Sequence, residues 1–289
     1  MNNIATFKVY IDLLDEVYKK SSMTSVLDGD NTLVRAGANA GEIIIPKISM
    51  DGLGDYSRTT GYVDGGVTLE YETIKADYDR GRKFNVDAMD NIETAGVAFG
   101  KLSSAFIKEK VIPELDAWRF AKYAAMPGIL TVSEDYASGA EVLDGLIKCQ
   151  NEMDENEVPT EDRILFITPT LLNMARNVDT TRSKEVLASF AEIKSVPQTR
   201  FVTAIDLFDG KTDGEETGHF QKSAGGKNLN FMGISKSAVV QHQKHTVNKI
   251  ISPEDNQNAD AWIFAYRTLG IATAYEKKVK GIYTSVASI

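Results

Sequence analysis

The sequence predicts an α+β fold in which a mixed helix-and-strand body carries an N-terminal arm, a long projecting hairpin and one long helix. Three observations carry that reading. Val67, Leu69 and Tyr71 alternate with Thr68, Glu70 and Glu72, so one face of that strand is apolar and the other polar. Ile92, Phe99, Leu102, Phe106, Val111 and Leu115 mark an apolar helical stripe, with alanines filling the gaps. From about residue 138 the texture changes to short helices and strands in alternation.

Taken in order, residues 1–22 form an amphipathic helix, with Phe7, Ile11, Leu14, Val17 and Tyr18 at three- and four-residue steps. SSMTSVLDGDNTLVRAGANAGE then reads as an extended arm, rich in residues that favour turns over packed elements. Residues 42–86 read as a two-stranded excursion. Its first strand carries Pro46, an edge-strand sign, and MDGLGDYSRTTGYVDGG supplies the turn. An isolated hairpin is marginal in water, so this one is expected to lie on another chain. The stripe over 87–125 would make a helix of ~35 residues and ~50 Å, which Pro113 should kink or split.

The body follows. Residues 140–153 read as a helix, DRILFITP as a short buried strand, and PTLLNMARN as a helix opened by Pro169. SKEVLASFAEIKSV reads as a further helix and RFVTAIDLF as a strand. DGKTDGEETGHFQKSAGGKN is too long and polar for a simple connector and is expected to be a contact loop or lid. Strands are expected over 229–251, in AWIFAYRTLGIATAYE and in KKVKGIYTSV.

Composition narrows the function. The chain has 289 residues, 43% hydrophobic and 25% charged, which suits a globular fold with a real core. Lys+Arg 32 against Asp+Glu 41 gives −9, so the chain repels nucleic acid on average; it can enclose nucleic acid but is no dedicated binder. A single cysteine, Cys149, cannot form an internal disulfide and lies among Leu143, Leu146, Ile147 and Met153, where an inert buried thiol is expected. No run approaches a membrane-spanning length, and charges through the first apolar stretch argue against a signal peptide. A cytoplasmic site of synthesis suits both observations.

Catalytic chemistry finds no footing. Of three histidines, His219, His242 and His245, none sits in a metal-binding motif, and the strand reading puts His242 and His245 on opposite faces. No nucleophile elbow, phosphate loop or dinucleotide fingerprint occurs. No catalytic, cofactor-binding or metal residue is therefore expected, and no cofactor.

Four phrases carry a resemblance: YETIKADYDRGRKFNVDAMD, KLSSAFIKEKVIPELDAWRFAKYA, RILFITPTLLNMAR and DAWIFAYRTLGIATAYEKKVKGIYTSV. In this order they resemble the major capsid proteins of tailed bacteriophages with the HK97-type fold. The resemblance covers most of the chain as texture and short phrases, and it implies five regions. Residues 1–35 would be the N-terminal arm and 36–86 the extended hairpin loop. Residues 87–136 would be a peripheral domain with its spine helix, 137–250 an axial domain, and 251–289 the closing strands of both. The 208–228 loop would point toward the centre of a capsomer.

The implied function is structural: pentamers and hexamers of one chain closing into an icosahedral shell around phage or prophage DNA, in a virion assembled in the bacterial cytoplasm. A separate scaffolding protein, a portal and decoration proteins are the implied partners, without sequence-specific DNA binding or a membrane. Val67, Leu69 and Tyr71 would meet the next subunit. Asp77, Asp79, Arg80 and Arg82 would pair across subunits or within the chain. Lys47 lies where some relatives form covalent crosslinks, but no crosslink is expected here. An encapsulin-like compartment shell is the rival within the same fold, and a soluble α/β enzyme the rival outside it.

Overall fold

The computed structural model describes residues 22–29, 35–36, 42–89, 97–178 and 180–288. The amphipathic helix expected over 1–22 falls outside them except for Ser22, as does Ile92, and of Phe99 only the backbone is described. In chain order the elements are β1 (Arg35–Ala36), β2 (Glu42–Met50), β3 (Val67–Lys75), β4 (Tyr78–Asp87), α1 (Val97–Phe106) and α2 (Ile112–Ala124). Then come β5 (Leu130–Ser133), α3 (Gly139–Glu155), β6 (Arg163–Ile167), α4 (Pro169–Arg176), α5 (Thr180–Ala188) and β7 (Glu192–Ser195). The chain ends with β8 (Ile205–Leu207), β9 (Phe220–Lys222), β10 (Leu229–Ser235), β11 (Val239–Ile251), β12 (Ala261–Ala274) and β13 (Ile282–Val286).

The body is a five-stranded mixed sheet, ordered β5-β13-β10-β6-β7, with helices on both faces. Its inner strand β6 is buried at every residue, as a strand covered on both sides must be. The two-residue period divides its side chains: Ile164 and Phe166 join one core with Leu115, Phe120 and Met232. Leu165 and Ile167 join the other with Leu143, Leu146, Cys149 and Phe231. α3 begins with a reciprocal cap, the Glu141 carboxylate accepting from the Ala137 amide at 2.7 Å and Ser138 Oγ from the Glu141 amide at 3.4 Å. Burial pushes the Cys149 thiol far above its ordinary pKa, so the inert reading of that residue fits its place.

α1 and α2 form one helical rod joined by a π turn over Ile107–Val111. The Ile112 amide reaches back five residues to the Ile107 carbonyl, and Pro113 sits in the first turn of α2. In an unbroken α-helix Pro113 would leave the Glu109 carbonyl without a donor and press its ring against it. The π turn absorbs both conflicts while Phe106, Val111 and Ile112 keep helical torsions. Pro113 thus changes the hydrogen-bond register without ending the rod. The rod packs on a second sheet, β11-β12-β4, through Phe106, whose ring lies 4.9 Å from Phe84 and 6.2 Å from Phe264.

Two readings of the body need correction. The helix expected from Ser183 to Val196 ends at Ala188, and Glu192–Ser195 is strand β7, parallel to β6. Four residues are too few for a periodic signal; the open edge of β6 recruits them. In RFVTAIDLF only Ile205–Leu207 is strand, paired with β9 from inside the stretch read as loop.

The arm residues Ser22–Gly29 are pinned by a buried carboxylate. Asp116, fully buried on α2, accepts from Ser22 Oγ at 2.7 Å, from the amides of Met23 and Thr24 at 3.0 and 3.2 Å, and from Thr24 Oγ1 at 2.6 Å. Arg200 Nη1 supplies the counter-charge at 3.1 Å. Gln241 closes the other side, donating to the Thr24 carbonyl at 2.6 Å, and Leu27 adds an apolar anchor.

Candidate assembly surface

β2 and β3 form an antiparallel hairpin whose register pairs Met50 with Val67, Ile48 with Leu69 and Pro46 with Tyr71. Residues directly opposite one another share a face, so the apolar alternation of β3 is matched across the ladder by Ile48 and Met50. The other face carries Ser49 against Thr68 and Lys47 against Glu70. Among the described residues β1 pairs with Ile43 and Ile44 of β2.

Among the described residues the apolar face is left largely exposed. Val67 is 73% exposed, Leu69 51% and Tyr71 60%. Nine of the twelve exposed large apolar residues among those described lie between Ile48 and Tyr71, so the unburied surface is concentrated on this one element. Ile48 and Met50 belong to the face although the sequence reading passed over them; the two-residue spacing 46, 48, 50 was the available signal. The tip is ordered by its own bonds. Asp51 accepts from the Gly66 amide at 2.7 Å, Ser57 bridges Gly61, and the Tyr56 and Tyr62 rings meet at 60° with centroids 4.9 Å apart. Gly61 adopts φ +82°, which suits a residue without Cβ.

The hairpin's root is held by polar contacts. Lys47 pairs with Glu276, a bond that raises the Lys47 ammonium's pKa and lowers that of the Glu276 carboxyl. Lys277 Nζ donates to the Ile48 carbonyl at 2.8 Å. All four charged residues singled out at the root have partners inside the chain. Asp77 pairs with Lys122, and Asp79 accepts from Nε and Nη2 of Arg267 at 2.9 and 2.7 Å. Arg80 grips Glu114 at 2.8 and 3.3 Å, beside the buried Tyr78 hydroxyl, which donates to the same carboxylate at 3.1 Å.

Arg82 donates to the Glu216 carbonyl at 2.8 Å and so reaches the long loop between β8 and β9. Gly210 and Gly218 flank its guanidinium so closely that a Cβ at Gly210 would fall 2.6 Å from Nη1. The same loop is braced by Asp209, whose carboxylate accepts from the amides of Thr212 and Lys211, bonds that hold its pKa down to about 2. The loop therefore folds against β4 and the root of the hairpin. His219 in this loop stacks on Phe208 at 4.3 Å, and a register shift interrupts β11 between Gln243 and His245. Among the described residues no group of three or more His, Cys, Asp or Glu is placed to hold a metal, and no helix is long and apolar enough to cross a membrane.

No family model and no curated protein matches the sequence. Solved structures match its shape. The capsid of Myoviridae phage XM1 aligns with TM-score 0.55 and 11% identity over 91% of this chain and 90% of that one. A structure from Gordonia phage Cozz aligns with TM-score 0.61 and 10% identity over 93% and 87%. A virus-like particle from Pyrococcus furiosus aligns with TM-score 0.58 and 11% identity over 94% and 95%. At these identities the likeness is one of architecture: the chain has the fold of phage capsid structures, the HK97-type fold that its sequence resembles.

Proposed function

We propose that this chain is a major capsid subunit that assembles through pentamers and hexamers into an icosahedral shell around phage or prophage DNA. The observation that carries the reading is the uncovered apolar hairpin on a capsid fold. Val67, Leu69 and Tyr71, with Ile48 and Met50, would lie on the neighbouring subunit of a ring, in head-to-tail contacts that close on themselves. Burying each such side chain contributes roughly 1–2 kcal/mol, and repetition around a closed shell multiplies many modest contacts into a stable particle. The ion pairs at the root serve the subunit itself in this reading, by setting the angle at which the hairpin leaves the body.

The regional division follows: arm to residue 35, hairpin loop to 86, peripheral domain to 136, axial domain to 250, then closing strands. The place of action would be the virion, after synthesis in a bacterial cytoplasm. A scaffolding protein and a portal would guide assembly, and decoration proteins would join later. An acidic wall would hold packed DNA by enclosure and counterions rather than by tight contacts.

The test compares the wild-type chain with one lacking residues 51–65, closed by a short turn. Wild-type protein should elute as rings or particles and show shells in negative-stain micrographs. The deletion should keep the far-ultraviolet spectrum and melting of the body yet yield no shells. Normal particles from the deletion would remove the hairpin from the assembly mechanism.

A further inference from the structure

Between β8 and β9 the chain makes a small lobe braced by its own bonds. The Asp209 amide donates to Glu215 Oε2 at 3.1 Å, the Gly214 amide to Glu216 Oε1 at 3.0 Å, and the Gly218 amide to the Glu215 carbonyl at 2.9 Å. At its neck the Phe208 amide donates to the His219 carbonyl at 2.9 Å. Ile205 and Leu207 seat β8 on the core, but β8 and β9 pair over three residues only, in a two-stranded sheet separate from the others. So short a ladder is marginal by itself and holds the direction of the lobe weakly. Toward the rod the lobe meets a cleft of about 820 Å³ rather than packed side chains, and Leu102 and Phe106 on the far wall stay half-buried.

One side chain crosses to the lobe from a firm base. β4 begins two residues after the hairpin ends, and the two-residue period puts Tyr78, Arg80, Arg82 and Phe84 on one face. Tyr78 and Arg80 are tied to Glu114 of α2, and Phe84 packs on Phe106 of α1. Arg82 lies between these anchors, opposite Tyr266 of β12, so its root is fixed to rod and sheet alike. Its Nη2 donates to the Glu216 carbonyl at 2.8 Å. Nη1 lies over Gly210 and Gly218, which have φ of +72° and +53°, and a Cβ on them would stand 2.6 and 3.1 Å from it. The two glycines thus leave a seat into which the guanidinium fits and a side chain would not.

We infer that Arg82 is a positioning residue, a strut that fixes the 208–219 lobe against the root of the hairpin. The lobe keeps its shape through its own bonds and takes its direction from Arg82. Because β4 continues the hairpin, the strut makes the lobe and the hairpin root turn as one piece. The consequence for assembly rests on the coat-subunit reading above: a lobe aimed at the centre of a ring has its angle, and so the number of subunits that close the ring, set through Arg82.

Nitroxide labels on the full chain test the strut within one subunit. Asp213→Cys in the lobe and Lys108→Cys on the π turn are exposed, and the single native thiol, Cys149, is buried. Pulsed dipolar spectroscopy should give one narrow distance distribution while Arg82 is present. Arg82→Met keeps the length and removes the donor; it should widen the distribution about twofold with the melting temperature unchanged, since only a local tether is lost. Arg82→Lys restores a donor of similar reach and should recover most of the narrow width. Gly210→Ala pushes the guanidinium off its seat from the lobe side, so it should widen the distribution with Arg82 intact. Arg267→Ala breaks the Asp79 pair on the opposite face of β4 and should change nothing. In negative-stain micrographs Arg82→Met subunits should form rings of mixed size. Wild-type width in Arg82→Met, with the body folded, would overturn the strut and leave the coat-subunit reading standing. Rings of one size from subunits with the widened distribution would overturn the assembly consequence. A wild-type chain that stays monomeric at high concentration would overturn the coat-subunit reading and leave the strut, whose distance is read inside one molecule.

Discussion

The hairpin and the five-stranded sheet are built from equally strand-prone sequence and end in opposite situations. RILFI in β6 is buried at all five positions, between two helical layers of its own chain. VTLEYETIK in β3 alternates from Val67 to Glu72 and leaves Val67, Leu69 and Tyr71 exposed. Alternation specifies that one face seeks cover; whether the cover comes from the same chain depends on what lies within reach. In the sheet, α2 and α3 supply it. In the hairpin no described element does, and Val67, Leu69 and Tyr71 stay exposed.

The contrast breaks most visibly in the body. Phe120 is fully buried and packs edge-on against Phe166 at 5.1 Å and Phe201 at 4.8 Å. Phe120→Ala should cost about 3–5 kcal/mol, through lost transfer energy and a residual cavity, and lower the calorimetric melting temperature accordingly. A loss under about 1 kcal/mol would mean that this core repacks freely. Next in size is Asp116→Ala, which leaves Arg200 without its carboxylate and four arm donors without an acceptor. The expected cost is about 3 kcal/mol, with faster hydrogen exchange at residues 23–29, because removing one member of a buried pair leaves the other uncompensated. Unchanged exchange there would show that Leu27 and Gln241 hold the arm alone.

The sequence displayed the elements that obey a single period over enough residues. β3, α3 with its buried Cys149, β6 and α4 were all legible for that reason. β7 was not, because four residues recruited by a neighbour's edge leave no periodic trace. The π turn was half legible: Pro113 announced a conflict, but only the fold shows that register rather than direction absorbs it. Of the exposed hairpin face, Val67, Leu69 and Tyr71 were readable by alternation; the spacing 46, 48, 50 offered the same signal for Ile48 and Met50, and the register of the ladder puts them on that face. The partners of Asp77, Asp79, Arg80 and Arg82 lie from 34 to 188 residues away where a bond is direct, and no local pattern encodes such distances. The clamp on the arm was hidden similarly, since Asp116 and Arg200 lie 84 residues apart in the sequence and meet only in the fold.

The smallest effect on folding should come from the most hydrophobic exposed surface. Replacing Val67 and Leu69 together with serine removes apolar groups that touch little of their own chain, so the unassembled subunit should change by less than about 0.5 kcal/mol in urea unfolding. Serine keeps the strand's polarity pattern tolerable and adds no charge. Assembly should nonetheless fall steeply, because each lost contact is repeated around every ring. The pairing of those two results carries the argument: a residue that matters to the body lowers stability and assembly together, whereas a residue reserved for a neighbour lowers assembly alone. A drop of several degrees in the melting of the isolated subunit would place the face of β3 against its own chain in solution, and the contrast between hairpin and sheet would dissolve.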